Sequence, residues 1–272
     1  MKHISDPRSG YYRANGKGRM TYESFVPMSL QNLEINVTDE EMALADKAMA
    51  HLIEKDKVGD DLSRDAVLSS VNLAWNMPPR MSTPKDEDTE GRMQTDRDNL
   101  LNALLYGLDH LDRLPLSGRI LKDMHWIAMQ GQHNEKKYPG EFRRSPIWIG
   151  DEKDTLLTAP FIPPSPDDMR QAFYDLEQYI NADDNIHPLI KAALIHYQFE
   201  VIHPFIDGNG RIGRILILLF LIDRGILHGC SINLSKALHL QQFRYFTGIA
   251  SVEISGTYEK WIKFFLNTLL TS

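Results

Sequence analysis

The sequence has few cysteines and no long apolar runs. Its one cysteine among 272 residues, Cys230, allows neither an internal disulfide nor a second thiol ligand for a metal site. Such cysteine usage is typical of a reducing compartment, so we expect a cytoplasmic protein. The longest apolar run, residues 215–222, is far shorter than the ~20 residues that cross a bilayer, and residues 1–13 carry no apolar leader. No membrane partner is therefore expected.

An excess of positive charge is also lacking. The formal net charge is -7 and the pI is about 5.8, so no general basic field would attract a polyphosphate backbone, and nucleic acid is not an expected partner. Hydrophobic residues make up 42% and charged residues 25% of the chain, close to the averages for globular proteins. The sequence therefore predicts a folded chain.

Apolar residues recur at helical spacing along most of the sequence, and capping residues and prolines mark where helices begin and end. The predicted fold class is mainly α, with helices near residues 38–52, 63–76, 99–111, 117–128, 166–179, 188–202, 212–225, 235–250 and 258–270. Residues 81–98 are charged, contain Pro84 and Gly91 and show no apolar period, which predicts a mobile linker. Residues 140–166 combine β-formers, glycines and prolines, which predicts a short hairpin.

The segment 203–214, with the sequence HPFIDGNGRIGR, lies between a helix that a proline must end and an apolar helix that follows it. Gly208 and Gly210 remove side chains where a backbone could approach a ligand, and Asn209 tolerates positive φ. The next helix offers unpaired N–H groups and the positive end of its dipole. This arrangement predicts an anion-binding cradle.

Charged side chains surround this predicted cradle. Arg211 and Arg214 lie on the first helical turn and can hold phosphate oxygens. A carboxylate beside phosphate is repulsive unless a cation intervenes, so Mg²⁺ between Asp207 and a nucleotide is the simplest explanation of that residue. His203 could accept a proton from an attacking hydroxyl at neutral pH.

Each of these residues also has an ordinary explanation when it is taken alone. The glycines form turns, arginines at a helix start are commonly solvated, and an aspartate there is commonly an N-cap. Their combination within one short segment favours phosphate chemistry. His187, His196 and His203 are too irregularly spaced for a helical zinc motif, so His196 is predicted to be a hydrogen-bonded packing residue.

The segment resembles the Fic family, whose signature is His-Pro-Phe, any residue, Asp or Glu, Gly-Asn-Gly-Arg, two residues, Arg. Every position of that signature is matched by residues 203–214. The similarity extends to residues 138–143, 147–150, 159–164, 196–202, 258–261 and 264–266. It implies a Fic-type helical bundle over residues 114–266 with a small β-hairpin flap. Residues 1–113 would then be an N-terminal helical extension.

Fic proteins mostly transfer AMP from ATP to a protein hydroxyl, so the resemblance implies a protein adenylyltransferase that uses ATP and Mg²⁺. His203 would be the base, Asp207 would hold Mg²⁺, and Arg214 would reach the γ-phosphate. The other implied residues are Gly208, Asn209, Gly210 and Arg211 at the phosphates, Tyr245 and Phe246 in the base pocket, and Ile147, Trp148 and Ile149 in a flap that clamps the target. Phe246 stands where the family has a second tyrosine.

Many members with an N-terminal extension carry an inhibitory helix with the pattern Ser or Thr, three residues, Glu. The corresponding segment here begins at Ser69 and has Leu73 at the glutamate position. A leucine cannot pair with Arg214, so the resemblance does not support autoinhibition by that route.

Two alternatives stay open. The first is transfer of UMP, phosphocholine or phosphate, although Gly208 and Gly210 differ from the Ala and Lys of the phosphate-transferring relatives. The second is a catalytically idle nucleotide-binding module, which the presence of His203 disfavours. The sequence does not identify the protein substrate, and automodification and a homodimer both stay open.

Overall fold

The computed structural model describes residues 5–18, 21–58 and 87–272. Two antiparallel strands come first, β1 (Gly10–Asn15) and β2 (Tyr22–Pro27). The α-helices of the described residues are α1 (Asp39–Val58), α2 (Glu87–His110), α3 (Gly118–Ala128), α4 (Pro166–Asn181), α5 (Pro188–Ile202), α6 (Asn209–Asp223), α7 (Leu234–Leu240), α8 (Gln242–Ser255) and α9 (Tyr258–Leu269). The predicted mainly helical fold is confirmed.

Helices α5 and α6 form the centre of the molecule. Nearly every residue of both is buried, because both are apolar around most of their circumference. Helix α5 contacts α4, α6 and α9, and helix α6 also contacts α2 and α3. The loop between α5 and α6 therefore emerges from the core rather than from a mobile edge.

The sequence signals at helix starts act as predicted in two helices. In α1, the backbone N–H of Thr38 donates to Glu41 Oε2 at 2.9 Å, and Glu41 N–H donates back to Thr38 Oγ1 at 3.4 Å. In α4, Ser165 Oγ accepts from the N–H of Asp168 at 3.3 Å, and proline occupies the first turn. Both caps fix the direction in which the chain enters its helix.

The prediction of a mobile linker over residues 81–98 is wrong for residues 87–98, which form the first half of α2. No apolar period marks these residues, and Thr95 Oγ1 donates to the Gly91 carbonyl of the same helix at 2.9 Å. Asp96 is buried, and Asn99 Nδ2 donates to the carbonyl of Gln130 at 2.9 Å. Residues 81–86 and the predicted helix 63–76, with Ser69 and Leu73, lie outside the described residues.

The β structure differs in place from the sequence prediction. The two-stranded sheet lies near the amino terminus, where no strand is predicted, and the N–H of Phe25 donates to the carbonyl of Ile162 at 2.9 Å. In the predicted flap, a single antiparallel bridge joins Ile149 to Phe161. The predicted helix 235–250 is divided into α7 and α8 at Gln241. None of the described helices is long and apolar enough to cross a membrane.

His196 lies in the middle of α5 and is fully buried, which confirms its predicted packing role. Its ring stacks near Trp261, with centroids 6.2 Å apart, and its Nε2 is 3.2 Å from the hydroxyl of Tyr245. Burial and then the charge of Arg214 lower the pKa of His196 to about 3. The folded protein therefore holds this imidazole neutral.

We expect the free energy of unfolding to decrease as the pH falls below about 6.5, the ordinary histidine pKa. The unfolded chain then binds a proton at His196, whereas the folded chain keeps this ring neutral. Roughly 3–5 kcal/mol of the free energy of unfolding is therefore lost as the pH falls toward 3. Urea unfolding at pH 7, 5.5 and 4.5 measures this loss, and His196→Gln should make the decrease smaller without abolishing it, because burial also lowers the pKa of His125. Equal acid sensitivity of the two proteins would show that other groups cause the loss.

Candidate active site

The site begins where α5 ends. His203 adopts a left-handed conformation, with φ 49° and ψ 63°, and its N–H donates to the carbonyl of Phe199 at 3.0 Å. Pro204 follows, and a proline cannot continue the helix. A left-handed residue other than glycine costs roughly 1–2 kcal/mol, so neighbouring contacts must hold it.

The imidazole of His203 has a defined tautomer. Its Nδ1 lies 3.0 Å from the backbone carbonyl of Glu200. Because a carbonyl only accepts, Nδ1 carries the hydrogen of this bond. In the neutral ring, Nε2 is then the basic nitrogen, as a general base requires.

The side chain of Asn209 pairs with the backbone of Phe205. Its Oδ1 accepts from the N–H of Phe205 at 2.9 Å, and its Nδ2 donates to the carbonyl of the same residue at 2.9 Å. The side chain, which is almost fully buried, therefore closes the loop. An anion could instead be bound by the backbone N–H groups in the first turn of α6.

Gly208 occupies a position that requires glycine. Its φ is 80°, and a Cβ atom there would lie 3.0 Å from Met129 Sδ and 3.4 Å from His125 Nε2. Both the backbone conformation and the space therefore disfavour any larger residue.

His125, a neutral histidine of α3, forms hydrogen bonds that hold the loop between α5 and α6. The Nδ1 of His125 accepts from the N–H of Gly140 at 2.9 Å, and its Nε2 donates to the carbonyl of Asp207 at 3.0 Å. Its ring stacks on Phe205 with centroids 3.9 Å apart. Burial lowers the pKa of His125 to about 4, which maintains the neutral form that these two bonds need.

The carboxylate of Asp207 is half exposed at the rim of the loop. Its Oδ2 lies 2.6 Å from the ammonium of Lys137, and its Oδ1 accepts from the N–H of Gly208 at 2.7 Å. Burial would raise the pKa of Asp207, but Lys137, the charge of Arg211 and the N–H bond together lower it. Asp207 is therefore ionised, and its carboxylate is paired with the ammonium of Lys137.

Arg214 lies on the inner face of α6. Its Nε donates to Ser235 Oγ at 3.0 Å, and burial lowers the pKa of its guanidinium, although the group stays cationic. Glu200 is the nearby countercharge, and burial raises the pKa of its carboxyl to about 7 despite the attraction of Arg214. Both side chains lie next to Gly210. A Cβ atom at Gly210 would lie 3.0 Å from Arg214 Nη1 and 3.9 Å from Glu200 Oε1.

The other predicted site residues lie around this centre. Arg211 Nη2 is 3.0 Å from Met129 Sδ. Tyr245 is buried with its hydroxyl toward His196, whereas the neighbouring Phe246 is 50% exposed. In the flap, Ile147 and Ile149 are half-buried and Trp148 is 42% exposed. The roles assigned to these residues stay predictions.

The segment that contains the site matches a known family. Residues 115–221 match the model described as the Fic/DOC family. This match includes the whole loop from His203 to Arg214 and covers less than half of the chain. Among curated relatives, the protein adenylyltransferases Fic of Drosophila grimshawi and Drosophila erecta are 38% and 39% identical over 88 residues, which is 32% of this chain. The match covers 16% of the length of these relatives.

Solved Fic structures share the fold at low sequence identity. A Fic family protein from Desulfovibrio desulfuricans G20 has a TM-score of 0.65 at 17% identity, with 87% of this chain and 74% of that chain covered. Fic-1 from C. elegans has a TM-score of 0.56 at 16% identity, with 85% and 71% covered. IbpAFic2 covalently tethered to Cdc42 has a TM-score of 0.57 at 18% identity, with 88% and 72% covered.

The site also contains functional candidates that sequence reasoning missed. Lys137, His125 and Arg143 reach the loop from residues far earlier in the chain, so no local spacing indicates them. Glu200 lies close to His203 in the sequence, but only the structure shows that its carboxylate is buried. For Lys137 and Arg143, the sole signal is their place in and beside the similar segment 138–143.

Replacing Asn209 by alanine should loosen the loop between α5 and α6. The change leaves the buried N–H and carbonyl of Phe205 without their partner, which costs about 2–4 kcal/mol of stability. Asn267→Ala is the matched control, since that amide lies on the exposed face of α9. Thermal melting measures the loss, and an Asn209→Ala protein as stable as this control would show that the Asn209 side chain does not hold the loop.

Proposed function

We propose that the Fic domain of this chain transfers AMP from ATP to a serine, threonine or tyrosine hydroxyl of a protein. The observation that carries the proposal is the fixed tautomer of His203 beside the amino terminus of α6. The curated relatives that match this segment are named protein adenylyltransferases, which supports the same reaction class here.

In the proposed reaction, His203 Nε2 takes the proton of the target hydroxyl. The hydroxyl oxygen forms a bond to the α-phosphorus, and the bond from that phosphorus to the bridging oxygen breaks. Pyrophosphate leaves with the electron pair of the broken bond, and AMP stays on the target as a phosphodiester. The proton on His203 is released to solvent afterwards.

Positive groups converge where the phosphates would lie. The first turn of α6 offers backbone N–H groups, Arg211 lies on that turn and Arg214 lies on the next turn. The ammonium of Lys137 lies within 2.6 Å of Asp207 Oδ2. These groups can stabilise the negative charge of a triphosphate and of the leaving pyrophosphate.

The residues present fit a magnesium ion. Asp207 is an ionised carboxylate that already binds the ammonium of Lys137, so a cation at this place is electrostatically favourable. The described residues contain no cluster of three acidic, histidine or cysteine side chains. Mg²⁺ is commonly held by one or two carboxylates together with phosphate oxygens and water, and it would neutralise phosphate charge there.

The proposed partner is a protein, whose identity the site does not define. IbpAFic2, a structural neighbour, has been solved covalently tethered to Cdc42. In this chain the half-buried Ile147 and Ile149 and the exposed Trp148 would clamp an extended target segment by strand addition. A cytoplasmic location is part of the same proposal.

Removing the base tests the reaction. We expect His203→Ala to lower the transfer rate by about 10²–10⁴, while ATP affinity stays within a few fold of the parent. Labelled ATP, with UTP and CDP-choline in parallel, is incubated with cell lysate and with the pure protein, and ATP affinity is measured by calorimetry. Transfer by His203→Ala at the parent rate would overturn the assignment of the base, and label from another donor alone would overturn the choice of ATP.

Removing the carboxylate tests the metal role. We expect Mg²⁺ to tighten ATP binding to the parent and EDTA to abolish transfer, whereas Asp207→Ala should lose both responses. Lys137→Met is the matched control, because it removes the ion pair of Asp207 while the carboxylate remains. If EDTA changes neither the ATP affinity nor the transfer rate of the parent protein, Asp207 holds no metal.

A further inference from the structure

Arg143 is a buried cation at the base of the flap, with 1% of its surface exposed. Its Nε donates to the carbonyl of His203 at 2.8 Å, and its Nη2 donates to the carbonyls of Pro164 at 2.6 Å and Ile202 at 3.3 Å. Nη1 lies 3.4 Å from the carbonyl of Ser145. The backbone N–H of Arg143 also donates to the carbonyl of the residue after His203, at 2.9 Å. One residue therefore joins three segments of the chain.

Burying a guanidinium is costly, so its contacts must compensate for lost hydration. Burial lowers the pKa of Arg143 to about 10, which leaves it protonated at neutral pH. The carbonyls of Ile202 and His203 lie at the carboxyl end of α5, where helix carbonyls lack intrahelical partners and carry partial negative charge. Arg143 therefore acts on the one turn of backbone that orients the imidazole.

We propose that Arg143 is a positioning residue that holds His203 in its left-handed conformation, and this inference rests on the proposed function of His203 as a base. With the backbone of His203 fixed, the ring Nδ1 stays on the carbonyl of Glu200 and Nε2 stays the basic nitrogen. If this backbone rotated, the ring would leave that carbonyl and either tautomer could form.

The same guanidinium connects the base to the flap. Ser145 begins the segment that leads to Ile149, and Pro164 follows Phe161, the bridge partner of Ile149. A displacement of either flap segment would therefore be transmitted through Arg143 to the backbone of His203. Arg143 thus couples the place where a target would bind to the group that would deprotonate it.

The test compares Arg143→Lys and Arg143→Gln with the matched control Arg144→Gln. Arg144 is the adjacent residue, its side chain is 83% exposed, and it pairs with Glu141 at the surface. Each protein is examined for thermal melting, ATP affinity, the kcat and KM of transfer, and the ¹⁵N spectrum of the histidine rings. A spectrum of His203→Ala identifies the His203 signals.

Lysine keeps the charge but cannot reach carbonyls on three segments with one planar group. We therefore expect Arg143→Lys to melt cooperatively, to bind ATP within about 3-fold of the parent, and to lose about 10–100-fold in kcat. The His203 signals should change from a single Nδ1-protonated form to a mixture of tautomers. Arg144→Gln should match the parent in all four measurements.

Unchanged His203 signals in both Arg143 variants would overturn the inference, and so would a failure of both variants to fold, because Arg143 would then be only structural. The proposed function fails separately: if the parent transfers no AMP but Arg143→Lys still mixes the His203 tautomers, the positioning role stands without that reaction.

Discussion

The structure depends on satisfying the backbone of a short loop that joins two buried apolar helices. Helices α5 and α6 both lie in the core, so the N–H and carbonyl groups between them have limited access to water. Asn209 pairs with both backbone groups of Phe205, and Arg143 pairs with the carbonyls at the end of α5 and with that of Pro204. Each unpaired group would cost about 1–3 kcal/mol, so these contacts fix the shape of the loop as well as its stability.

Charge in the site is arranged around that fixed loop. The cationic groups outnumber the acidic ones, since Arg211, Arg214 and Lys137 face Asp207 and Glu200. Burial raises the pKa of Glu200 to about 7, so this carboxyl carries only part of a negative charge at neutral pH. The site therefore carries less negative charge than two fully ionised carboxylates would give it.

Sequence reasoning succeeds where the signal is local. The bounds of α5 follow from a proline at its start and another just after its end, and the segment from His203 joins this helix to α6. Sequence reasoning fails where the reason for a structure lies far along the chain. The strands near the amino terminus pair with each other, and Phe25 of β2 also donates to the carbonyl of Ile162. Contacts of this kind leave no periodic pattern in the sequence.

Local sequence and distant contacts also contribute differently within the site. The local motif supplies groups that can react, but a free peptide of that sequence would not keep left-handed conformations at His203 and Gly208. Distant side chains keep them, since Arg143 binds the carbonyl of His203 and His125 binds that of Asp207, next to Gly208. A motif match identifies the chemistry, and the remote contacts determine whether the motif is held in the geometry that the chemistry needs.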